Sequence, residues 1–307
     1  MAIRRERAIP SEIVLTDRNG VPFPPVRRLG PDDLRQCVAL ALDRGWSPER
    51  AKWALLLEVS EVFGVDAPDG GLAGAVVLTR YGSRLASVGM MLVAARHGRR
   101  GLGRALMEQL LADAGDATVI LVATDLGKPL YDKLGFRTIR RNAIFFGRFQ
   151  AATATATSTR DNSTMRTRPA DPAADLPAIL AIDKAAFGAD RSRLLTRLPT
   201  FAAQLRVLET DGRVSGFAAA WRNDTTTVAG PVVAPDGAAA RLLITDLATR
   251  VRGPLRLDLD PGRPELPDWA VRHGLDLVGL GTVMAYGDQD PPGDPGRLFT
   301  PISVALA

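Results

Sequence analysis

The chain reads as an α+β (mixed α/β) protein made of two copies of one fold, and three observations carry that reading. A low-complexity, small-residue segment, Gln150-Ala-Ala-Thr-Ala-Thr-Ala-Thr-Ser-Thr, divides the 307 residues nearly in half. The halves repeat each other. Asp33-Leu34 returns as Asp175-Leu176, Asp69-Gly70 as Asp211-Gly212 and Gly74 as Gly216, all 142 residues on; after short insertions, Gly135-Phe136 answers to Gly274-Leu275 and Gly147 to Gly287. Within the first copy, helical and strand periodicities follow the order β-α-α-β-β-β-α-β-α-β-β, with a glycine-rich loop after the fourth strand. These signals place a mobile N-terminal arm at 1–24, a first domain at 25–149, a linker at 150–164 and a second domain at 165–307.

Each element of the first copy has a local reason. A short strand near 25–29 precedes helices at about 31–44 and 48–57, the second introduced by Ser47-Pro48, a cap followed by proline at the first helical position. Strands near 58–66 and 72–80 flank the hairpin turn Asp69-Gly70-Gly71, and a third runs over about 85–93, where Gly89 hints at a bulge. Leu102, Leu106 and Leu110 share one face of a helix over 102–114. A buried strand at 118–123, a short helix at 128–134 stopped by Gly135, and two more strands over 136–149 complete the copy.

Composition excludes several function classes. Hydrophobic content of 46% and charge of 24% belong to a globular chain, no apolar run approaches membrane-spanning length, and the N-terminus lacks the apolar segment of a signal peptide, so a cytoplasmic location is expected. Cys37, the single cysteine, excludes an intrachain disulfide and reads as a small core residue. With two histidines beside it, no metal cluster is expected. The net charge of +5 comes from four lysines and 35 arginines against 34 acids. That charge is scattered and not interleaved with aromatics, so no nucleic acid is expected as partner. One concentration stands out: residues 70–107 hold no acid but carry Arg80, Arg84, Arg96, Arg99, Arg100 and Arg104.

Those arginines surround the loop Arg96-His-Gly-Arg-Arg-Gly-Leu-Gly-Arg-Ala-Leu106, whose glycines feed a helix N-terminus, an arrangement suited to phosphate. A nucleoside-triphosphate loop fits the spacing of Gly98 and Gly103 but fails at Arg104-Ala105, where lysine and a hydroxyl residue belong. A dinucleotide fingerprint fails because Leu106 stands at the third glycine and because that motif should open a domain right after its first strand, whereas several helices and strands precede this one.

Val93-Ala-Ala-Arg-His-Gly-Arg-Arg-Gly-Leu-Gly-Arg-Ala-Leu106 instead resembles the acetyl-CoA motif of the GNAT N-acetyltransferases, and Pro129-Leu-Tyr-Asp-Lys-Leu-Gly-Phe136 their second signature. Gly45-Trp46-Ser47-Pro48 and Phe187-Gly-Ala-Asp-Arg191 further resemble a tandem subgroup with a divergent GNAT-like C-terminal domain. The resemblance implies two mostly antiparallel twisted sheets flanked by helices, and acetyl-CoA as co-substrate without a metal. It departs from the family at the loop, where Gly98 stands for the usual Gln or Arg and Arg99 where glycine is common.

The resemblance assigns the co-substrate to Met91 and Val93 at the strand end and to Gly98, Arg99, Arg100, Gly101, Leu102, Gly103 and Arg104 in the loop. Tyr131 is the residue offered to protonate the departing thiolate, since a phenol near pKa 10 can give its proton to that developing charge. A general base for the ammonium is less legible. The strand before the loop has no carboxylate, leaving Glu58, Glu61 and Asp125 as substitutes, with the chain's own terminal carboxylate at Ala307 as another. His97, beside the phosphates, is read as solvated or phosphate-contacting, His273 as a helix C-cap, and Trp46 and Trp53 as core or as pocket walls.

In the second copy Ala238 and Ala240 replace the paired glycines and Trp269 the tyrosine, so that half is expected to bind no acetyl-CoA. The expected function is direct acetyl transfer to a primary amine of a small molecule, against the alternatives of a CoA sensor or scaffold without catalysis and of a protein N-acetyltransferase. The expected partners are a small-molecule amine, no nucleic acid and no membrane, with a homodimer left open.

Overall fold

The computed structural model describes residues 15–151 and 165–306; most of the linker, and Ala307 with its carboxylate, lie outside that range. The first half runs β1 (Arg27–Leu29), α1 (Leu34–Asp43), α2 (Arg50–Val59), β2 (Glu61–Asp66), β3 (Leu72–Tyr81), β4 (Leu85–Val93), α3 (Leu102–Ala114), β5 (Thr118–Ala123), α4 (Lys128–Lys133) and β6 (Arg137–Gly147). The second repeats it: β7 (Met165–Pro169), α5 (Pro172–Phe187), α6 (Ser192–Leu195), α7 (Leu198–Phe201), β8 (Gln204–Thr210), β9 (Arg213–Asn223), β10 (Thr226–Val233), α8 (Gly237–Ala248), β11 (Leu255–Leu259), α9 (Glu265–Arg272) and β12 (Leu275–Tyr286), followed by β13 (Leu298–Thr300) and a 3-10 turn at Val304–Leu306.

The repeated Asp-Leu pairs have a physical cause. Arg27 reaches Asp33 at 2.8 Å and Asp66 at 2.7 Å, and Asp33 also accepts from the Gly30 amide. Arg168 does the same with Asp175 and Glu209, each at 2.6 Å, and Asp175 accepts from the Asp171 amide. Each triad ties a half's first strand to its first helix and second strand, and the arginine hydrogen bond holds Asp33 and Asp175 below the usual carboxylate range.

All strands join in one sheet, ordered β1-β2-β3-β4-β5-β12-β6-β11-β10-β9-β8-β7, with β13 beside β10. The order records an exchange. β12 of the second half pairs antiparallel with β5 of the first, Thr282 opposite Ala123, while β6 of the first pairs antiparallel with β11 of the second, Leu255 opposite Gly147. The two exchanged strands also pair with each other. The two strands expected over 136–149 are therefore one, and each half takes its closing strand from the other.

The sheet carries helices on both faces. On one, α3 buries Leu102, Leu106, Met107 and Leu110 against Val76, Val88 and Leu121, each side chain contributing about 1.5–3 kcal/mol. On the other, α1 and α2 share a continuous core with α5, α6 and α7, including Trp53, Leu56, Phe187, Leu194 and Phe217. Trp53 is fully buried, whereas Trp46 is 38% exposed. Cys37 is buried there too, its thiol pushed up to about 12 by burial, as a core residue should be.

Helix α2 begins at Arg50, two residues later than the Ser47-Pro48 signal predicts. Glu49 precedes it in the left-handed region at φ 43, because its carboxylate pairs with Lys52 and accepts from Asn223 Nδ2 of the second half at 2.8 Å. Residues 15–24, expected in the mobile arm, fold back instead: Thr16 bridges Pro22, and Phe23 meets the His97 ring edge-on at 5.2 Å.

Candidate active site

Strands β4 and β5 are parallel neighbours only from Leu85–Val88 opposite Thr118–Leu121; beyond that, β4 stays with β3 and leaves β5. Within the departing part the register slips by one residue, so that Met90 and Met91 together oppose Val76, with Met90 at φ 48. The bulge hinted at by Gly89 therefore lies just beyond it. Gly89 has a different reason to be glycine: a Cβ there would sit 2.4 Å from the Ala305 carbonyl, because the tail lies against it. Tyr81 anchors that tail by donating to the Leu306 carbonyl at 3.0 Å, and Leu306 is fully buried.

Because β4 and β5 are parallel, the glycine loop after β4 and the turn after β5 emerge at one edge of the sheet. Gly101 is the N-cap of α3, at φ 81, and no side chain caps the helix. The amides of Arg99 through Arg104 accordingly make no backbone hydrogen bond among the described residues. Arg99 occupies the left-handed region at φ 61, which explains why glycine is common at its position. A Cβ on Gly103 would approach Met91 Cε at 3.1 Å, Leu130 Cδ2 at 3.5 Å and Val93 Cγ2 at 3.7 Å, so strand end, loop and α4 converge there without room for a side chain.

The charge around the loop is smaller than the acid-free stretch suggests. Arg80 pairs with Glu61, Arg96 with Asp69 and Arg104 with Glu108, each at 2.8 Å. The Arg104 pair is exposed on both sides, contributes well under about 1 kcal/mol, and leaves the guanidinium available to an anion. Arg99 and Arg100 make no ion pair among the described residues, and Arg100 Nε is buried without a partner. His97 is buried rather than solvated, packed on Phe23 with Nε2 3.4 Å from Asp69.

Tyr131 lies on α4, 7% exposed, against Phe136 at 5.7 Å, and burial pushes its phenol up to about 12. Its hydroxyl has no hydrogen-bond partner among the described residues. Asp125 is exposed two residues past the end of β5, at the same edge as the loop. Glu61 is elsewhere, at the start of β2. Burial raises its pKa, but hydrogen bonds and charge from Arg80 and Arg28 outweigh that and hold the carboxyl below its ordinary value. Glu58 is engaged by Arg197 at 2.7 Å. His273 accepts the predicted capping role, its Nδ1 2.7 Å from the Trp269 carbonyl.

The second half builds the corresponding loop differently. Asp236 caps α8, accepting from the Ala239 amide at 2.8 Å, so a carboxylate of the chain already occupies the helix N-terminus. β13 pairs with β10 at Val232 and Val233, past the last residues at which β10 meets β11. Sequence reasoning missed this, and it missed a cavity of about 530 Å³ over the central strands, lined by β5, β6 and β12, by Phe187 and by the loop Asp290–Pro301. The basic run Arg137-Thr-Ile-Arg140-Arg141 was the available signal.

A parallel strand pair that parts at a bulge, above an uncapped glycine loop and a helix carrying tyrosine, defines an acyl-CoA-binding transferase fold. Two family models, each described as an acetyltransferase (GNAT) domain, match residues 60–138 and 179–300. The uncharacterized N-acetyltransferase YitH of Bacillus subtilis (strain 168) is 30% identical over 261 residues, 82% of this chain and 87% of the relative. The chain belongs to the GNAT N-acetyltransferases, in tandem form.

Solved structures agree on the fold. A protein of Pyrococcus horikoshii provisionally classed as an acetyltransferase superposes with a TM-score of 0.75 at 19% identity, over 92% of this chain and 95% of its own. A tandem GNAT protein from the clavulanic acid biosynthesis pathway superposes with a TM-score of 0.60 at 15% identity, over 87% and 99%. Among the described residues no group of His, Cys, Asp and Glu could hold a metal ion, and no helix is long and apolar enough to cross a membrane.

Proposed function

We propose that the first half transfers acetyl from acetyl-CoA directly to a primary amine of a small molecule. The observation that carries this is the N-terminus of α3, whose amides from Arg99 to Arg104, like the nearby Arg100 Nε, have no partner among the described residues, at the edge that also carries α4 with Tyr131. Free amides, a helix dipole and a guanidinium together suit a pyrophosphate. When bound, acetyl-CoA supplies an activated acetyl group as a thioester.

The chain's own residues then divide the work. Met91 and Val93 flank the loop, and the bulge at Met90-Met91 releases a backbone N–H from the ladder to meet charge developing on the carbonyl oxygen. Tyr131 holds a proton for the departing sulfur; its raised pKa keeps that proton in place across the neutral and mildly alkaline range. Asp125, exposed and without a partner among the described residues, takes the ammonium proton through water. A small acceptor is favoured over a protein because the cavity on the far face is bounded by both halves and by the tail.

Calorimetric titration of acetyl-CoA, followed by thiol release over a panel of amines, tests the reading. Saturable binding with turnover is the expected result, and absence of binding overturns it. A CoA sensor is the second reading, favoured by the engagement of Glu61 with two arginines; binding without turnover on any amine would select it.

A further inference from the structure

The cavity between the halves holds four arginines on its wall, and three of them are committed. Arg137 Nη2 binds Asp290 at 2.6 Å, Arg141 Nη1 binds Thr282 Oγ1 at 3.0 Å, and Arg191 lies in a buried pair with Asp183 while covering the Phe187 ring at 4.0 Å. Arg140 has no hydrogen bond and no ion pair among the described residues. Its side chain is exposed and lines the cavity wall. An unpaired guanidinium on a concave wall is placed to form a charge-assisted pair with an anionic ligand group.

The rest of the wall narrows the ligand. Leu85, Ile120, Val122, Ile139 and Phe299 give it an apolar body. Asp258, held by Arg256 and Asn142, and Asp260, accepting from the Gly262 amide, set negative charge on the second half's side and so disfavour a second anionic group. The cavity also reaches Val122, the residue just past the last β4–β5 pair, where the two strands begin to part; Val122 and Arg140 pair with Val283 from either side, so guanidinium and strand opening lie two strands apart. A volume of about 530 Å³ suits a small metabolite.

We infer that the cavity is the acceptor site and that Arg140 selects amines carrying a single carboxylate on an apolar body, with the carboxylate on the guanidinium and the amine toward the strand opening. This rests on the acetyl-transfer reading above and adds a substrate class to it.

The test pairs each carboxylate with its carboxamide: 6-aminohexanoate with 6-aminohexanamide, whose amine basicities barely differ, and phenylalanine with phenylalaninamide. Both acetyl transfer and calorimetric binding in the presence of CoA are read for the wild type, Arg140→Gln and Arg140→Lys. The expected result is a preference for the carboxylate of about 10–100-fold, as a charge-assisted pair provides. Arg140→Gln should collapse it to near unity and Arg140→Lys should keep part of it. Equal handling of both members by the wild type, or a preference that survives in Arg140→Gln, overturns the inference while leaving acetyl transfer intact. If acetyl-CoA binds but no amine is acetylated, the transfer reading fails. Carboxylate binding that depends on Arg140 would then still uphold the anion site, and its absence would overturn that as well.

Discussion

The two halves share an element order and an arginine-carboxylate triad, yet their equivalent loops have opposite electrostatics. At α3 the cap is a glycine and the amides stand free; at α8 the cap is Asp236, whose own carboxylate fills the anion position. One backbone plan can thus be an anion site or a sealed corner, depending on which residue stands at a single helix terminus. The closing strands differ in the same sense. β13 lies along β10 in the second half, while in the first only the short turn at Val304–Leu306 reaches β4, on the face away from α3.

The sharpest way to break this comparison is at the loops. Gly101→Glu with Gly103→Glu should weaken acetyl-CoA binding more than about 100-fold, roughly 3 kcal/mol, by placing carboxylates at the helix N-terminus. Ala238→Glu, at the second residue of α8 as Gly103 is of α3, should leave the dissociation constant unchanged. Calorimetry on the two variants decides whether the halves differ in function or only in sequence.

Tyr131→Phe should lower kcat about 100-fold, with the KM for acetyl-CoA little altered. The sign of the pH effect follows from the raised pKa. The phenol must be protonated to donate, so the wild-type rate should hold as pH passes 10 and fall only toward about 12. An alkaline limb near 10 would remove Tyr131 from the role.

Removing the shared triads should cost the halves alike. Arg27→Met and Arg168→Met are each expected to destabilise by about 1–2 kcal/mol in denaturant unfolding, since both arginines are partly exposed. Asp33 and Asp175 are held low by those arginines, so their contribution is complete above about pH 4 and is lost as pH falls through the depressed folded-state values. Either variant should therefore flatten the acid limb of stability. Strongly unequal losses would mean that one half dominates the fold.

The smallest effect is expected at Asp236→Ala. Losing the cap should cost about 1 kcal/mol, read as a modest fall in Tm, without creating acetyl-CoA binding, because β13 still lies along β10. New binding in this variant would show that the carboxylate alone kept the second half silent.

Much was determined by sequence alone. Helix α3 could be read to the residue, because Gly101 and the leucines at 102, 106 and 110 fix its cap and its face by local rules. The repeat, with its Asp-Leu pairs at a fixed offset, and the glycine-rich loop were legible because each is written in a few contiguous residues.

Tertiary structure decided what depends on distant partners. Alternation along Arg137–Gly147 tells which side chains face a core but not which strand lies alongside, since backbone hydrogen bonds are the same for any sequence; hence the exchange of β6 and β12 was invisible. Glu61 read as a free carboxylate until Arg28 and Arg80 arrived from two other strands. Gly89 read as the mark of a bulge, and its reason was Ala305, more than 200 positions away. Arg140 is one of 35 arginines in the sequence, and only the assembled halves set it on a cavity wall, unpaired among the described residues. Burial and pairing belong to the assembled molecule, because they are set by distances that contiguous sequence does not contain.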